Sequence, residues 1–341
     1  VEYNSLTHIW INEQKFTKKD VLAQLDLPSN HLGEVLSFLK EWFSSSKDVV
    51  VQTSGSTGIP KKIAIPKQSF VESAKNTCEY LSLQPETNAL LCIPVKYIGG
   101  KMMVIRAMVG GYNLWVDDPS SSPLKNNSRH IDFLAITPMQ ATNCVNDSPQ
   151  EVEQIKHILI GGGAVNPSFV NQIQSFSTQF YSTYGMTETV SHIALKKLNG
   201  PGKSTLFETL PAYFIDVNND NCLVIHCPTL FSQPIETNDI VKLSKGCFEW
   251  LGRKDNVINS GGIKVSPERI EEQIAKLFPS TLFYITSQQD EQLGEKVLLV
   301  SQEKMEIDWE KIALEKYEIP KEQLVRKIEL TQTGKIKREK F

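Results

Sequence analysis

Several features that would classify a protein quickly are missing from this sequence. Its six cysteines (78, 92, 144, 222, 227 and 247) form no CxxC pair and no Cys/His cluster at ligand spacing. That argues against a disulfide framework and a zinc site, and for buried thiols in a reducing cytoplasm. No apolar run approaches the roughly 20 residues needed to span a bilayer. The first sixteen residues mix polar and charged side chains where a signal peptide would be apolar. No membrane insertion is expected, and a cytoplasmic location is. Neither sign of charge dominates: 36 Lys and Arg face 39 Asp and Glu, for a formal net charge of −3. The global field therefore gives no push toward nucleic acid or an anionic surface. Internal repeats and low-complexity segments are absent too.

What is present is a globular composition, 40% apolar and 22% charged over 341 residues. Single cores stop growing at about 250–300 residues, so two or more cores are expected, with room for a substrate pocket. Between residues 49 and 184, short β-rich runs alternate with helical patterns, the mark of βαβ units and a parallel sheet. Runs at 49–51, 90–93, 114–116, 133–136 and 158–160 read as strands. A helix capped by Ser69 and another over 101–109, stopped by Gly110-Gly111, lie between them. After about residue 190 the texture changes to hairpins. Runs 213–217 and 222–226 flank Asn218-Asn219-Asp220-Asn221, and 240–243 and 248–251 flank Ser244-Lys245-Gly246. Beyond Gly252 an α+β unit is expected: Ser266 and Pro267 start a helix bearing Ile270, Ile274 and Leu277, strands follow at 282–285 and 297–300, then a helical stretch at 308–317. The expected fold is α/β: a large domain, 1–252, with parallel-rich sheets and a small β subdomain, then a small mobile α+β domain, 253–341.

Four segments carry chemistry. Thr53-Ser54-Gly55-Ser56-Thr57-Gly58-Ile59-Pro60-Lys61 follows a strand and offers hydroxyls, backbone N–H groups and a positive charge to an anion such as polyphosphate. It is not a Walker A loop, since Lys62 follows Lys61 and the glycine spacing differs; the plainer reading is a Ser/Gly linker. Tyr184-Gly185-Met186-Thr187-Glu188, with Gly161-Gly162-Gly163-Ala164 one strand earlier, offers an aromatic face to a base, a hydroxyl to phosphate and a carboxylate to Mg²⁺. A Tyr-Gly pair is also an ordinary turn with a packed ring. Asp239, Gly252-Arg253-Lys254-Asp255 and Ser260-Gly261-Gly262-Ile263-Lys264-Val265 supply a carboxylate for ribose hydroxyls and arginine donors. Thr333-Gly334-Lys335-Ile336-Lys337-Arg338 taken alone is a solvated basic end.

In register, these four segments resemble the adenylate-forming superfamily of acyl-CoA synthetases, luciferases and peptide-synthetase adenylation domains, over residues 51–341. The resemblance implies that residues 53–61 hold the β- and γ-phosphates of ATP. It implies Tyr184 on adenine, Thr187 near the α-phosphate, Glu188 on Mg²⁺, Asp239 on ribose, Arg253 at ribose or phosphate, Asp255 at the hinge and Lys335 as the catalytic lysine. Gly162, Gly163, Ala164 and Gly185 would join the nucleotide site. The phosphate loop begins early for this superfamily, so the usual N-terminal subdomain is expected to be missing before it.

Lys96 and Tyr97 stand where relatives carry a histidine-bearing segment. With Gly99, Lys101, His192, Gly261 and Gly262 they are expected near the acyl acid and coenzyme A. Lys96, Lys101, Arg106 and His192 together would suit a second substrate carboxylate. Singly, Lys101 and Arg106 read better as outer-face residues of a helix and His192 as a core residue. Tyr97-Ile98-Gly99-Gly100-Lys101-Met102-Met103, Ser182-Thr183-Tyr184-Gly185-Met186-Thr187-Glu188-Thr189 and Arg253-Lys254-Asp255-Asn256-Val257-Ile258-Asn259-Ser260-Gly261-Gly262 are most similar to a compact form of the o-succinylbenzoate–CoA ligase family of menaquinone biosynthesis. The implied partners are small molecules (ATP, a carboxylic acid, coenzyme A), with room for a homodimer. Alternatives are a ligase for another aryl or short acyl acid, an adenylation domain loading a carrier-protein thiol, and a degenerate nucleotide-binding module.

Overall fold

The computed structural model describes residues 1–52, 62–279, 281–330 and 336–341. In chain order its strands and helices begin with β1 (His8–Ile11), β2 (Gln14–Thr17), α1 (Lys18–Ala23), α2 (His31–Phe43), β3 (Asp48–Gln52) and β4 (Lys62–Pro66). There follow α3 (Lys67–Tyr80), β5 (Asn88–Leu91), α4 (Ile98–Gly110), β6 (Asn113–Val116), β7 (Phe133–Ile136), α5 (Pro138–Asp147), α6 (Pro149–Glu153) and β8 (His157–Ile160). Then come α7 (Pro167–Gln172), β9 (Gln179–Gly185), β10 (His192–Lys197), β11 (Phe207–Thr209), β12 (Phe214–Val217), β13 (Cys222–His226), β14 (Ile235–Ser244) and β15 (Cys247–Arg253). The last are β16 (Ile258–Ser260), β17 (Ile263–Val265), α8 (Pro267–Leu277), β18 (Phe283–Asp290), β19 (Gly294–Ser301) and β20 (Glu322–Val325).

By packing the chain divides into two compact units, the first made of Val1–Val165, Ile173–Phe214 and His226–Ile235, the second of Asn166–Gln172, Ile215–Ile225 and Glu236–Phe341. In the first, strands run in the order β11-β10-β9-β8-β7-β5-β6-β1-β2. The six from β9 to β1 are parallel neighbours, and antiparallel pairs close the series at either end. Buried Val, Leu, Ile and Phe on the central strands leave no polar face, as expected of a sheet covered on both sides. Because β6 and β7 flank β5 on opposite sides, chain direction reverses there, and the crevice beyond the carboxyl ends is the ligand position of such sheets.

Several expectations need correction. Strand β3 is no member of the parallel sheet but pairs antiparallel with β4, from Asp48 opposite Pro66 to Gln52 opposite Lys62. Ser69 does not cap α3, which starts two residues earlier; its hydroxyl donates to the Leu230 carbonyl, 3.1 Å away. The stretch expected to be helical over 308–317 holds only a 3-10 turn, Trp309–Lys311. The N-terminal β1, β2, α1 and α2 precede the expected series of βαβ units.

In the second unit β12, β13, β14 and β15 are successive neighbours, which matches the two expected hairpins. A separate sheet runs β17-β16-β19-β18 with β20 on β19. Helix α8 packs Ile270 and Ile274 against Ile258, Ile285, Val297 and Leu299. Pro267 starts α8 as expected, but Ser266 makes no cap bond: its hydroxyl donates to the Leu251 carbonyl at 2.7 Å. All six cysteines are free thiols and five are buried. Among the described residues no helix is long and apolar enough to cross a membrane.

Candidate active site

The glycine-rich segment after β8 and the Tyr-Gly segment at the end of β9 leave the first unit's sheet side by side. Parallel pairing sets Ile160 opposite Ser182, and the Thr183 hydroxyl donates to the Ile160 carbonyl at 3.2 Å. The Gly161 N–H closes on the Ile136 carbonyl at 3.0 Å, after which Gly162, Gly163 and Ala164 are exposed. The Tyr184 ring is half-buried, 5.8 Å from Phe207 and tilted 59°, and the Lys196 ammonium lies 4.7 Å over Phe207. Buried Thr189 organises the following turn: its hydroxyl donates to the Ser191 carbonyl at 2.7 Å and accepts from the Met186 N–H at 3.0 Å. That turn leaves Gly185 exposed, Thr187 half-buried and Glu188 exposed. Among the described residues the Glu188 carboxylate makes no hydrogen bond or ion pair, and no three His, Cys, Asp or Glu gather as a metal-binding group.

The cations grouped near the acyl site have different fates. Lys96 is exposed, its ammonium 5.1 Å over the half-buried Tyr97 ring, and Gly99 follows in the first turn of α4. Lys101 and Arg106 do not lie on an outer face, because nearly all of α4 is buried. The Lys101 ammonium sits 4.2 Å over Phe38 and 3.6 Å from Glu41; burial lowers its pKa and Glu41 opposes that. Arg106 is 3% exposed, with Nη2 donating to Ser191 Oγ at 2.6 Å and Nε without a partner. Burial pulls its pKa down, and among the described residues no carboxylate pairs with it. His192 packs in the core, Nε2 3.1 Å from Thr77 Oγ1 and Nδ1 3.4 Å from Arg106 Nη2. Burial, then Arg106, holds its pKa well below the usual histidine value, so it is neutral at pH 7. Three cations remain of the expected four.

The second unit gathers its own cluster. Asp239 on β14 stands opposite Arg253 on β15. The Trp250 indole N–H donates to Asp239 Oδ1 at 3.1 Å. Arg253 reaches Asp255 at 3.1 Å, and the Asn238 amide donates to the same carboxylate at 3.2 Å. Gly252 precedes them at φ +135°, where an added Cβ would lie 2.6 Å from Glu268 Oε2. The backbone angle demands glycine there, whereas the Glu268 and Ser266 side-chain ends could move aside. Gly261 and Gly262, at φ +58° and +80°, are the exposed two-residue tip of the β16–β17 hairpin, an arrangement that needs no ligand to explain it. Residues 53–61, the whole expected phosphate loop, and Lys335 lie outside the described residues. Near the latter, Leu330 bridges Ile336, and Arg338 grips Glu271 through both terminal guanidinium nitrogens.

A family profile described as AMP-binding enzyme matches residues 11–212, more than half the chain. The chain belongs to this family. A solved member of like size, an acyl-CoA synthetase (AMP-forming)/AMP-acid ligase II-like protein from Dyadobacter fermentans, is 36% identical. The match covers 94% of this chain and 95% of that one, with a TM-score of 0.66. The curated 2-succinylbenzoate–CoA ligase of Haemophilus influenzae is 25% identical over 269 residues, 72% of this chain and 57% of that protein. The chain thus spans less than two thirds of that relative's length. An o-succinylbenzoate coenzyme A synthetase from Bacillus subtilis, solved with ATP and magnesium ion, shares the fold at a TM-score of 0.74 and 18% identity, covering 88% of this chain and 74% of that one. The mixed α/β architecture is therefore that of the AMP-binding enzymes.

Some residues that hold the expected site residues or their neighbours in place gave no signal in the sequence. His31, Ser191, Trp250 and Glu271 meet partners far along the chain or across a hairpin. Only the Asp239/Trp250 pair could have been sought, by folding the expected 240–243/248–251 hairpin on itself.

Proposed function

We propose that the chain is an ATP-dependent acid–thiol ligase. A carboxylate oxygen attacks the α-phosphorus of ATP, the bond to the bridging oxygen breaks and pyrophosphate leaves. The thiol of coenzyme A then attacks the acyl carbonyl of the adenylate and AMP leaves. The first step drives one anion against another, so positioning and positive charge carry it. In this reading residues 53–61 hold the outer phosphates, and Tyr184, with Gly162, Gly163, Ala164 and Gly185 around it, receives adenine. Thr187 donates to the α-phosphate, Asp239 accepts from ribose, Arg253 assists and Lys335 stabilises the developing charge. Asp255 is the hinge between parts 1–252 and 253–341, a division by motion that need not follow packing. Magnesium, where bound, would neutralise phosphate charge and orient the leaving group. Glu188, exposed and without a partner among the described residues, fits such an ion shared with phosphate oxygens, whereas the lack of a multi-carboxylate cluster among the same residues does not fit a resident metal.

The observation that carries the substrate reading is Arg106. An arginine 3% exposed whose Nε has no partner, and whose charge meets no carboxylate, among the described residues is costly to keep unless a bound anion completes it. Its Ser191 partner follows Thr187 and Glu188 by a few residues. A second carboxylate on the acyl acid would supply that anion, and the similarity to 2-succinylbenzoate–CoA ligases supports o-succinylbenzoate, a dicarboxylate bearing an aromatic ring. A cytoplasmic location and a homodimer belong to the same proposal.

The test is pyrophosphate release over a panel of mono- and dicarboxylic acids, with coenzyme A as the only thiol. Arg106→Met is expected to raise KM for o-succinylbenzoate by about 10–100-fold and for benzoate by less than about threefold, with thermal stability unchanged or raised. Activity with benzoate or a fatty acid but not with o-succinylbenzoate would overturn the substrate assignment.

A further inference from the structure

We infer that His31 is a positioning residue for the connection between β5 and α4, residues 92–97. The inference rests on the proposed reading of Lys96 and Tyr97 as neighbours of the acyl acid. His31 opens α2 and is 3% exposed. Its Nδ1 lies 2.7 Å from the Asp117 carbonyl, and its Nε2 lies 3.3 Å from the Val95 N–H. A carbonyl can only accept and a peptide N–H can only donate. The ring is therefore the tautomer with Nδ1 protonated and Nε2 accepting. The imidazole bridges the chain just past β6 to the chain just past β5, two parallel neighbours, at their carboxyl ends.

One side of this bridge is firmly seated. The His31 N–H donates to Asp118 Oδ1 at 2.9 Å, and Arg129 grips the Asp117 carboxylate, with Nη1 2.9 Å from Oδ1, while lying 5.2 Å over Trp115. The other side is one bond, to a residue 4% exposed whose N–H has no water to turn to. Losing that acceptor leaves a buried donor unsatisfied, which favours a different path for the segment. The effect passes directly to Tyr97, whose N–H closes on the Pro94 carbonyl at 3.2 Å and whose carbonyl accepts the Lys101 N–H at 3.1 Å to start α4. Among the described residues the His31 ring and N–H bond only Asp117, Asp118 and Val95, none of them an expected nucleotide residue, so its influence should be confined to the acid.

Two isosteric variants separate the two ring nitrogens. His31→Asn keeps a donor near Nδ1 and loses the acceptor, whereas His31→Gln carries an acceptor out to the position of Nε2. We expect His31→Asn to raise KM for the acid about tenfold, with KM for ATP within about twofold. His31→Gln should stay within about threefold on both. Hydrogen exchange followed by mass spectrometry should quicken at residues 93–97 in His31→Asn alone, with strand β6 unchanged. Equal acid KM changes in the two variants, a parallel rise in KM for ATP, or unaltered exchange at 93–97 would overturn the inference. A wild type that releases no pyrophosphate with any acid would instead overturn the ligase reading and the functional part of this one with it, while the exchange difference would still report the bridge.

Discussion

Arg106, in the unit built on the parallel sheet, is 3% exposed, bonds a serine and has no carboxylate among the described residues. Arg253, in the other unit, leaves 36% of its side chain exposed and pairs with Asp255, itself 48% exposed. Where that second unit does bury a cation in part, at Arg338, it supplies both oxygens of Glu271 as partners. An exposed pair is worth less than about 1 kcal/mol and exchanges partners freely, which suits groups that must serve successive steps. A buried cation without a partner costs stability and is kept for something else. At these two arginines the first unit holds a fixed, desolvated group and the second an exchangeable one.

The largest effect is expected from Lys335→Ala, which removes the charge proposed to serve adenylation. We expect acyl-AMP formation to fall by about 100-fold or more, and thioester formation from supplied acyl-AMP to fall by less than about fivefold. Single-turnover measurement of each half-reaction checks this. Equal losses in both would mean that the lysine is no more step-specific than a fixed residue.

How much of this could be read beforehand follows the same division. The glycine and hydroxyl segments were legible because their chemistry is written in consecutive residues, and the strands ending at Ile160 and Gly185 deliver two of them to adjacent positions. The hairpin at Ser244-Lys245-Gly246 was legible because Gly246 takes φ +69°. Burial was not. Lys101 and Arg106 carry charges that argue for a surface, yet α4 runs through the interior, where Phe38 and Glu41 receive one and Ser191 the other. Tertiary context overrides a residue's usual preference at such positions. His31 was illegible for another reason: its partners are a carbonyl and an N–H of residues 117 and 95, and backbone groups carry no sequence signature.

A smaller effect tests the proposed hinge in the second unit. Asp255 accepts from Asn238 and Arg253 and sits in a 3-10 turn, Lys254–Asn256, directly after the glycine-only position 252. Asp255→Pro fixes one backbone angle and should slow thioester formation by about tenfold while leaving adenylation within about threefold. Asp255→Ala removes only exposed partners, so its unfolding free energy should change by less than about 1 kcal/mol. Unchanged thioester synthesis in the proline variant would remove the hinge from Asp255.

The smallest effect sharpens the other half of the contrast, since desolvated groups make the first unit's stability depend on pH. His157 opens β8, is 5% exposed and has its ring 6.2 Å from Tyr181. Burial, aided by Lys156 and Lys197 and opposed by Asp132, lowers its pKa to about 4, against an ordinary 6.5. The folded state thus holds the neutral ring more firmly than the unfolded chain does. The stability this contributes is present above pH 6.5 and is lost as pH falls from 6.5 through 4, where the unfolded chain takes up the proton first. His157→Phe keeps a ring beside Tyr181 and removes the titration. Between pH 7 and pH 5 the wild-type melting temperature should therefore fall by about 3–6 °C more than that of the variant. Parallel melting curves across that range would mean that the ring gains water as readily as an exposed histidine, and that its burial carries no electrostatic cost.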